Sequence, residues 1–225
     1  MLALISDIHG NLPALEAVLS SINREHVDTV ICLGDIVGYG ARPNECIERL
    51  RGENIPCILG NHDASAIGRL SPAMMNSHAR TASVWTIEQL TPDNKDYLAD
   101  LPLTMDFQSI FCVHSSPNEP EQWHYIFNLA DAAAAFRCFS QIVCFSGHTH
   151  FPTIFTNPTD GRRLINVGSV GQPRDRDPRA CYGLYDASTV NFRWVRVEYP
   201  IAESARHIID AGLPPFLAQR LASGI

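Results

Sequence analysis

The chain has 225 residues, of which 45% are hydrophobic and 18% are charged, and its formal net charge is −7. These values are typical of a globular protein with one large core, and they exclude a general nucleic-acid binder that relies on a basic surface. No apolar run approaches the length of a membrane span and the first residues lack a signal-peptide pattern, so the sequence predicts a cytoplasmic protein.

The first 63 residues repeat a strand, a polar loop and a helix. LALIS is the first predicted strand, and it is followed by the loop DIHGN and an amphipathic helix from Pro13 to Ile22. TVICLGD predicts the second strand, with a glycine-rich loop and a helix that opens near Pro43. PCILGNHD is the third predicted strand. This alternation favours an α/β arrangement in which at least some strands are parallel.

Residues 64 to about 100 have a different character, because apolar residues recur at helical spacing between turn signals. They predict a helical insertion within a single domain that spans residues 1–225. Strands resume at SIFCVHS, IVCFSGHTH and RLINVGS. Polar and apolar residues alternate in CYGLYDA and NFRWVRVEY, which predicts a hairpin with its turn at Ser188 and Thr189. The segment from Ala202 to Leu221 is predicted to be helical, with an interruption near Gly212 and Pro214.

Residues of metal-binding type follow the predicted strands. Four of them form two pairs whose members are two residues apart at a strand end, so each pair projects from one face of an extended segment. Three more each come directly after an apolar strand, and in open α/β sheets ligands collect beyond the carboxyl ends of the strands. The seven residues are Asp7, His9, Asp35, Asn61, His114, His148 and His150.

The composition of this set indicates the kind of metal. Two aspartates, one asparagine and four histidines suit Mn, Fe, Zn, Co or Ni, and the set is too rich in nitrogen for a site devoted to Mg or Ca. Seven donors are too many for one tetrahedral ion, whereas two ions that share a bridging carboxylate account for the number. Two metals about 3.5–4 Å apart are the usual clamp for in-line displacement at phosphorus. The sequence therefore predicts a two-metal phosphoesterase.

The order of these motifs, D-x-H, G-D, G-N-H-[DE], H and G-H-[ST]-H, resembles the calcineurin-like metallophosphoesterase superfamily. SDIHGN and INVGSVGQPRDRDPRA are similar to the small bacterial and archaeal phosphodiesterase branch of that superfamily. The resemblance implies a four-layer αββα sandwich in which two mixed β-sheets lie face to face with helices outside. It also implies a homodimer. The insertion and loops are too short to predict an extended protein-recognition groove, which favours a small phosphoester or nucleotide-like substrate.

The same resemblance implies a role for each motif residue. One divalent ion is held by Asp7, His9, Asp35 and His150, and the second by Asp35, Asn61, His114 and His148. Asp35 then bridges the ions, and a hydroxide between them attacks a phosphodiester, or also a phosphomonoester. His62 is the remaining motif residue and is implied to be a catalytic residue near the leaving-group oxygen, where it donates a proton or stabilises the transition state.

One position departs from the pattern of related enzymes. Phosphoprotein phosphatases of this superfamily carry an aspartate three residues after the Gly-Asp aspartate, where it pairs with the catalytic histidine, and the residue here is Gly38. This departure disfavours a protein phosphatase. A dinucleoside-polyphosphate hydrolase uses the same chemistry and stays an alternative. A non-catalytic interaction scaffold on the same fold is a third, although a scaffold has no need of His62.

Three residues outside the ligand set are candidates for substrate binding. Asn11 either begins a helix whose amino end faces the anion or simply caps that helix. Tyr39 either lines the pocket or lies in a surface loop. Arg174 either binds substrate phosphate or pairs with its acidic neighbours Asp175 and Asp177.

Overall fold

The computed structural model describes all 225 residues and contains nine strands in two mixed sheets. In chain order the strands are β1 (Leu2–Ile5), β2 (Thr29–Cys32), β3 (Thr104–Phe107), β4 (Ile110–Val113), β5 (Val143–Ser146), β6 (Thr153–Thr156), β7 (Arg163–Asn166), β8 (Ala180–Asp186) and β9 (Asn191–Val197). One sheet has the order β2-β1-β8-β9 and the other β3-β4-β5-β7-β6. The pairs β1–β2, β4–β5 and β5–β7 are parallel, and the remaining pairs are antiparallel.

Eight α-helices surround the sheets. They are α1 (Leu12–Ile22), α2 (Pro43–Gly52), α3 (Asn61–Ala66), α4 (Ser77–Gln89), α5 (Pro92–Ala99), α6 (Leu129–Ala135), α7 (Ile201–Asp210) and α8 (Pro215–Gln219). Short 3₁₀ turns lie at Pro72–Met74, Pro120–Gln122 and Arg220–Ser223. None of the helices combines the length and the apolar character that crossing a membrane requires.

The layers follow from the alternation of side chains along the strands. On β1, Leu4 enters the apolar cluster between the sheets, where Phe145 and Ile165 of the second sheet join it. The neighbouring Ile5 points the other way, into the core beneath α1 and α2. On β5, Cys144 packs in the cluster that includes α6. The order helix, sheet, sheet, helix is therefore the four-layer sandwich that the resemblance implies.

Most predicted elements are confirmed, including α1, α2 and the hairpin of β8 and β9. The third predicted strand, at PCILG, is wrong, because only Cys57 makes an isolated bridge there, to Cys32. Two hydrogen bonds join this segment to β2 before Leu59 turns to donate to the carbonyl of Pro102. Proline at position 56 has no N–H with which to extend the ladder. The strands β3 and β6 and the helix α6 were not expected from the sequence.

Candidate metal centre

The predicted ligands lie at the carboxyl ends of strands from both sheets. Asp7 follows β1 and Asp35 follows β2 in one sheet, whereas His114 follows β4 and His148 follows β5 in the other. Asn61 is the first residue of α3. Because β1–β2 and β4–β5 are parallel pairs, these ends meet at one edge of the sandwich.

Five of the seven residues have a left-handed backbone. Their φ angles are 54° for Asp7, 52° for His9, 53° for Asp35, 66° for His148 and 63° for His150. Each such residue costs of order 1–3 kcal/mol and persists only where surrounding contacts enforce it. Here the loops turn sharply as they leave the sheets, which directs the side chains inward. Backbone strain of this kind clusters at functional sites.

One group of donors consists of Asp7, His9 and His150. The Nε2 atoms of His9 and His150 are 3.1 Å apart, and Nε2 of His150 is 3.3 Å from Oδ1 of Asp7. Nε2 of His9 is 3.8 Å from the same carboxylate oxygen. All three side chains are at most 2% exposed, so they are shielded from bulk solvent.

A second group lies beside the first and contains Asp35, His114 and His148. Nε2 of His114 is 3.2 Å from Oδ2 of Asp35 and 3.2 Å from Oδ1 of Asn61. The same Oδ2 is 3.6 Å from Nε2 of His9 in the first group. Asp35 therefore lies between the two groups. Gly60 permits its position, since a Cβ there would be 2.2 Å from Oδ1 of Asp35.

Each of the four histidines is held by a backbone carbonyl through one ring nitrogen. The Nδ1 atoms of His9, His114 and His150 lie 3.0, 2.8 and 2.6 Å from the carbonyl oxygens of Val37, Leu33 and Gln172. His148 uses Nε2 instead, 3.0 Å from the carbonyl of Trp123. A carbonyl accepts only from N–H, so in a neutral ring the opposite nitrogen carries a lone pair directed into the site. This is the usual outer contact of metal-binding histidines. Burial lowers the pKa of His9, His148 and His150, which keeps these three rings neutral.

These lone pairs fit a bound cation. Two nitrogens about 2.1 Å from one ion are about 3.0–3.4 Å apart, which is the spacing between Nε2 of His9 and Nε2 of His150. Both of these rings already donate from Nδ1, so no proton bridges the pair, and the two lone pairs repel unless a positive charge lies between them. The chemistry and spacing of the donors therefore suit divalent metal binding.

The electrostatics of the site favour the same conclusion. Burial raises the pKa of Asp7 to about 7, although His114 opposes the shift. Burial alone would lower the pKa of His114, but Asp35 overrides it and raises that pKa to about 9. Asp35 itself has a lowered pKa, because the imidazoles around it outweigh the effect of its burial. Protons and divalent cations thus compete for these donors.

His62 differs from the four histidines described above. It lies in a group with His9 and Asp35, and its ring is 4.9 Å from the ring of His9. No carbonyl holds it, and its buried Nδ1 has no hydrogen-bond partner. Burial lowers its pKa to about 4. Gly38 lies against this nitrogen, since a Cβ at Gly38 would be 2.5 Å from Nδ1, and the backbone there has a φ of +88°.

Two neighbouring polar residues have structural contacts. Asp63 accepts hydrogen bonds from the backbone N–H groups of Val37 and Gly60, at 3.0 and 3.1 Å, so it ties the Asp35 loop to the start of α3. Asn11 caps α1 by accepting from the N–H of Ala14. Its amide also donates to the carbonyl of Gly171 at 2.8 Å.

Arg174 has no carboxylate partner. Its guanidinium donates to the side chain of Gln172 at 2.8 Å and lies 5.8 Å from the centre of the Tyr39 ring. That ring packs 4.5 Å from the ring of His62. The acidic neighbours bind other arginines: Asp175 pairs with Arg196 of β9, and Asp177 pairs with Arg179 at 2.6 Å and with Arg196. Arg174 is thus a cation beside the candidate metal centre that forms no ion pair with a carboxylate.

Sequence reasoning missed the loop that follows β4. Trp123 has a left-handed backbone, with a φ of 56°, and its carbonyl orients His148. The ring of Tyr125 stacks on the ring of His148, with a centroid separation of 4.1 Å and an angle of 22°. An aromatic pair in a loop carries no periodic signal, so only the folded chain reveals it.

Comparisons with known proteins show which family and which relatives the chain is similar to. Residues 1–190 match the calcineurin-like phosphoesterase superfamily domain. The chain is 43% identical to a metallophosphoesterase from Sphaerobacter thermophilus, whose crystal structure superposes with a TM-score of 0.88 over 100% of this chain and 99% of that one. It is 37% identical over 243 residues to an uncharacterised protein of Methanocaldococcus jannaschii, with 100% and 98% of the two chains covered. It is 26% identical over 194 residues to phosphodiesterase YfcE of Escherichia coli K12, with 80% and 84% covered.

Proposed function

Since this chain belongs to the calcineurin-like phosphoesterase superfamily, and is therefore a hydrolase of phosphoester bonds, we propose that it cleaves phosphodiesters at a centre of two divalent transition-metal ions. The proposed ligands are the seven residues predicted from the sequence, and Asp35 is shared between the two ions. They are Asp7, His9, Asp35, Asn61, His114, His148 and His150. The relative YfcE, a phosphodiesterase by name, supports the choice of diesters.

The observation that carries this proposal is the position of Asp35. A single oxygen, Oδ2, is 3.2 Å from Nε2 of His114 in one donor group and 3.6 Å from Nε2 of His9 in the other. A carboxylate that contacts imidazole nitrogens of two donor groups has the position that a bridging ligand needs. Oδ1 of Asp35 is fixed at the same time, because it accepts from the backbone N–H of His62 at 2.8 Å.

When bound, the two ions would activate a water molecule as the nucleophile and neutralise charge on the phosphoryl oxygens. The chain's own contribution is orientation, since each of the four proposed histidine ligands is held by a backbone carbonyl. Burial of the donors excludes bulk water and strengthens every electrostatic contact in the site.

His62 supplies a hydrogen-bond donor to the leaving-group oxygen in this proposal. With a pKa lowered to about 4 by burial, the ring is neutral near pH 7, so it acts through a ring N–H rather than as an imidazolium. Its unpartnered Nδ1 leaves the ring free to present either tautomer. Gly38 supports this view, because the space that an orienting aspartate would need at that position is occupied by the His62 ring.

Arg174 is proposed to bind a non-bridging phosphate oxygen. Replacing Arg174 with alanine should raise KM about tenfold or more with little loss of bound metal, because a charge-assisted hydrogen bond contributes about 1.5–3 kcal/mol. Arg176→Ala is the matched control, since its side chain is exposed two residues away. Steady-state kinetics and elemental analysis of both variants check the prediction. An unchanged KM in Arg174→Ala would remove this residue from substrate binding.

A direct test uses metal-stripped protein refilled in turn with Mn, Fe, Co, Ni, Zn or Mg. We expect metal-dependent hydrolysis of bis(p-nitrophenyl) phosphate that exceeds hydrolysis of p-nitrophenyl phosphate. Greater activity on the monoester would contradict the diester preference, and no turnover with any metal would support the scaffold alternative instead.

A protein phosphatase stays a less favoured reading, because the position of the aspartate that such enzymes are expected to carry is Gly38, where the backbone φ is +88°. We further propose that residues 1–225 act as one domain and that the helices between residues 64 and 100 serve the site, since α4 packs against α3, which begins with Asn61. A homodimer is the proposed assembly, on the resemblance alone.

A further inference from the structure

A cleft of about 320 Å³ opens beside His62. Its floor is made of Asn61, His62 and His148, which belong to the proposed site. Small-molecule pockets occupy about 300–1,000 Å³, so this cleft is at the lower end of that range. This volume is enough for one ring-bearing group.

The two walls of the cleft come from different parts of the chain. One wall is the segment that leads into α4, where Leu70, Met74 and Met75 present apolar side chains. The opposite wall is the loop after β4, which contributes Trp123 and Tyr125. Methionine and aromatic side chains provide polarisable, adaptable surfaces that suit flat apolar ligands.

The aromatic wall is fixed before any substrate binds. One face of the Tyr125 ring packs on His148, and the ring of Phe127 stacks on Tyr125 at 5.3 Å and 8°. The ring edge of Tyr125 therefore borders the cleft, although the residue is half exposed. Because these stacking contacts already order the loop, a ligand that binds against it does not have to offset the entropy cost of ordering it.

The side chains that line the cleft carry no fixed positive charge. No lysine or arginine lines the cleft, and its one acidic residue is Glu121. Arg174 is not among the residues that line the cleft, although its guanidinium lies 5.8 Å from the centre of the ring of Tyr39, which does line it. Because Arg174 is proposed to bind the phosphate that is cleaved, a second phosphate in the cleft would meet Glu121 and no lysine or arginine of the lining.

We infer that this cleft binds the leaving alcohol of the diester, and that this alcohol is uncharged and carries an aromatic ring, as a nucleoside does. The inference rests on the proposed function, which places the leaving group beside His62. Hydrolysis forms a P–O bond to the oxygen of water and breaks the P–O bond to this alcohol, which departs with one proton from the water consumed. A nucleoside polyphosphate is disfavoured as the leaving group, because it would carry its negative charge into the cleft.

The test compares three methyl phosphodiesters that differ only in the leaving alcohol: 2-phenylethanol, propanol and 3-phosphopropanol. The metal-loaded protein should prefer phenylethyl over propyl by about tenfold in kcat/KM, the order of effect for added apolar contact in a pocket. The phosphopropyl ester should be the poorest of the three. Met75→Ala should bring the ratio of phenylethyl to propyl kcat/KM close to 1.

A charge placed in the cleft gives a second readout. Met74 is 81% exposed, so Met74→Lys should fold normally, and it should improve hydrolysis of the phosphopropyl ester relative to the propyl ester about fivefold or more. Val84→Lys is the matched control, because Val84 is an exposed residue of α4 outside the cleft. Equal rates for all three esters, or a preference for phosphopropyl, would overturn the inference while leaving the proposed function intact. Failure to hydrolyse any diester would instead contradict the proposed function.

Discussion

Replacing Asp35 with asparagine is expected to remove both bound metal and turnover while the fold survives. The two side chains have the same shape, and the asparagine oxygen can still accept the 2.8 Å hydrogen bond from the N–H of His62. The amide, however, presents N–H to His114 where the carboxylate presented Oδ2. Because loss of an outer contact alone lowers metal affinity about 10–100-fold, loss of the shared ligand should lower turnover by more than about 1,000-fold.

Metal content by elemental analysis and thermal unfolding with and without added metal would measure this result. A ligand at 100 times its Kd stabilises the folded state by about 2.7 kcal/mol, so metal should raise the Tm of the unmodified protein but not that of Asp35→Asn. Asp106→Asn is the control, since it makes the same change of charge at an exposed position of β3. Near-normal metal content in Asp35→Asn would mean that the bridging assignment is wrong.

Replacing His62 with alanine should leave both ions in place and slow hydrolysis about 10²–10⁴-fold, the usual contribution of a positioned proton donor. The loss should be greatest for poor leaving groups, because they depend most on hydrogen bonding to the departing oxygen. The ring packs against Tyr39 and His9, so a modest fall in stability is also expected. His26→Ala is the control at an exposed position.

The pH dependence distinguishes a neutral donor from an imidazolium. A pKa lowered to about 4 means that the ring is already neutral at pH 6 and stays neutral at pH 8. The ratio of unmodified to His62→Ala rates should therefore be constant over this range, and His62→Gln, which keeps an N–H donor, should recover part of the activity. If the imidazolium were required, that ratio would fall about tenfold for each pH unit above the pKa.

The sequence predicted the donors of the site better than it predicted their surroundings. Asp7 and His9 could be predicted as a pair of metal donors, because two polar residues spaced by two directly after an apolar strand form a local sequence pattern. The contact between the carbonyl of Trp123 and His148 could not be predicted, because every residue carries a carbonyl and this contact depends on the left-handed backbone of Trp123.

Longer-range pairings were also beyond local patterns. Asp175 and Asp177 looked like partners for Arg174, yet the folded hairpin brings Arg196 of β9 to both of them. The third predicted strand failed for a related reason. An apolar run such as PCILG is equally suited to a buried loop, and only the path of the neighbouring backbone decides between them.

The most direct measurement of the central claim is anomalous X-ray diffraction from a crystal of the protein loaded with manganese. The account predicts two anomalous peaks about 3.5–4 Å apart, one on each side of Oδ2 of Asp35, with His62 outside both coordination shells. A single peak, or a peak coordinated by a ring nitrogen of His62, would contradict it.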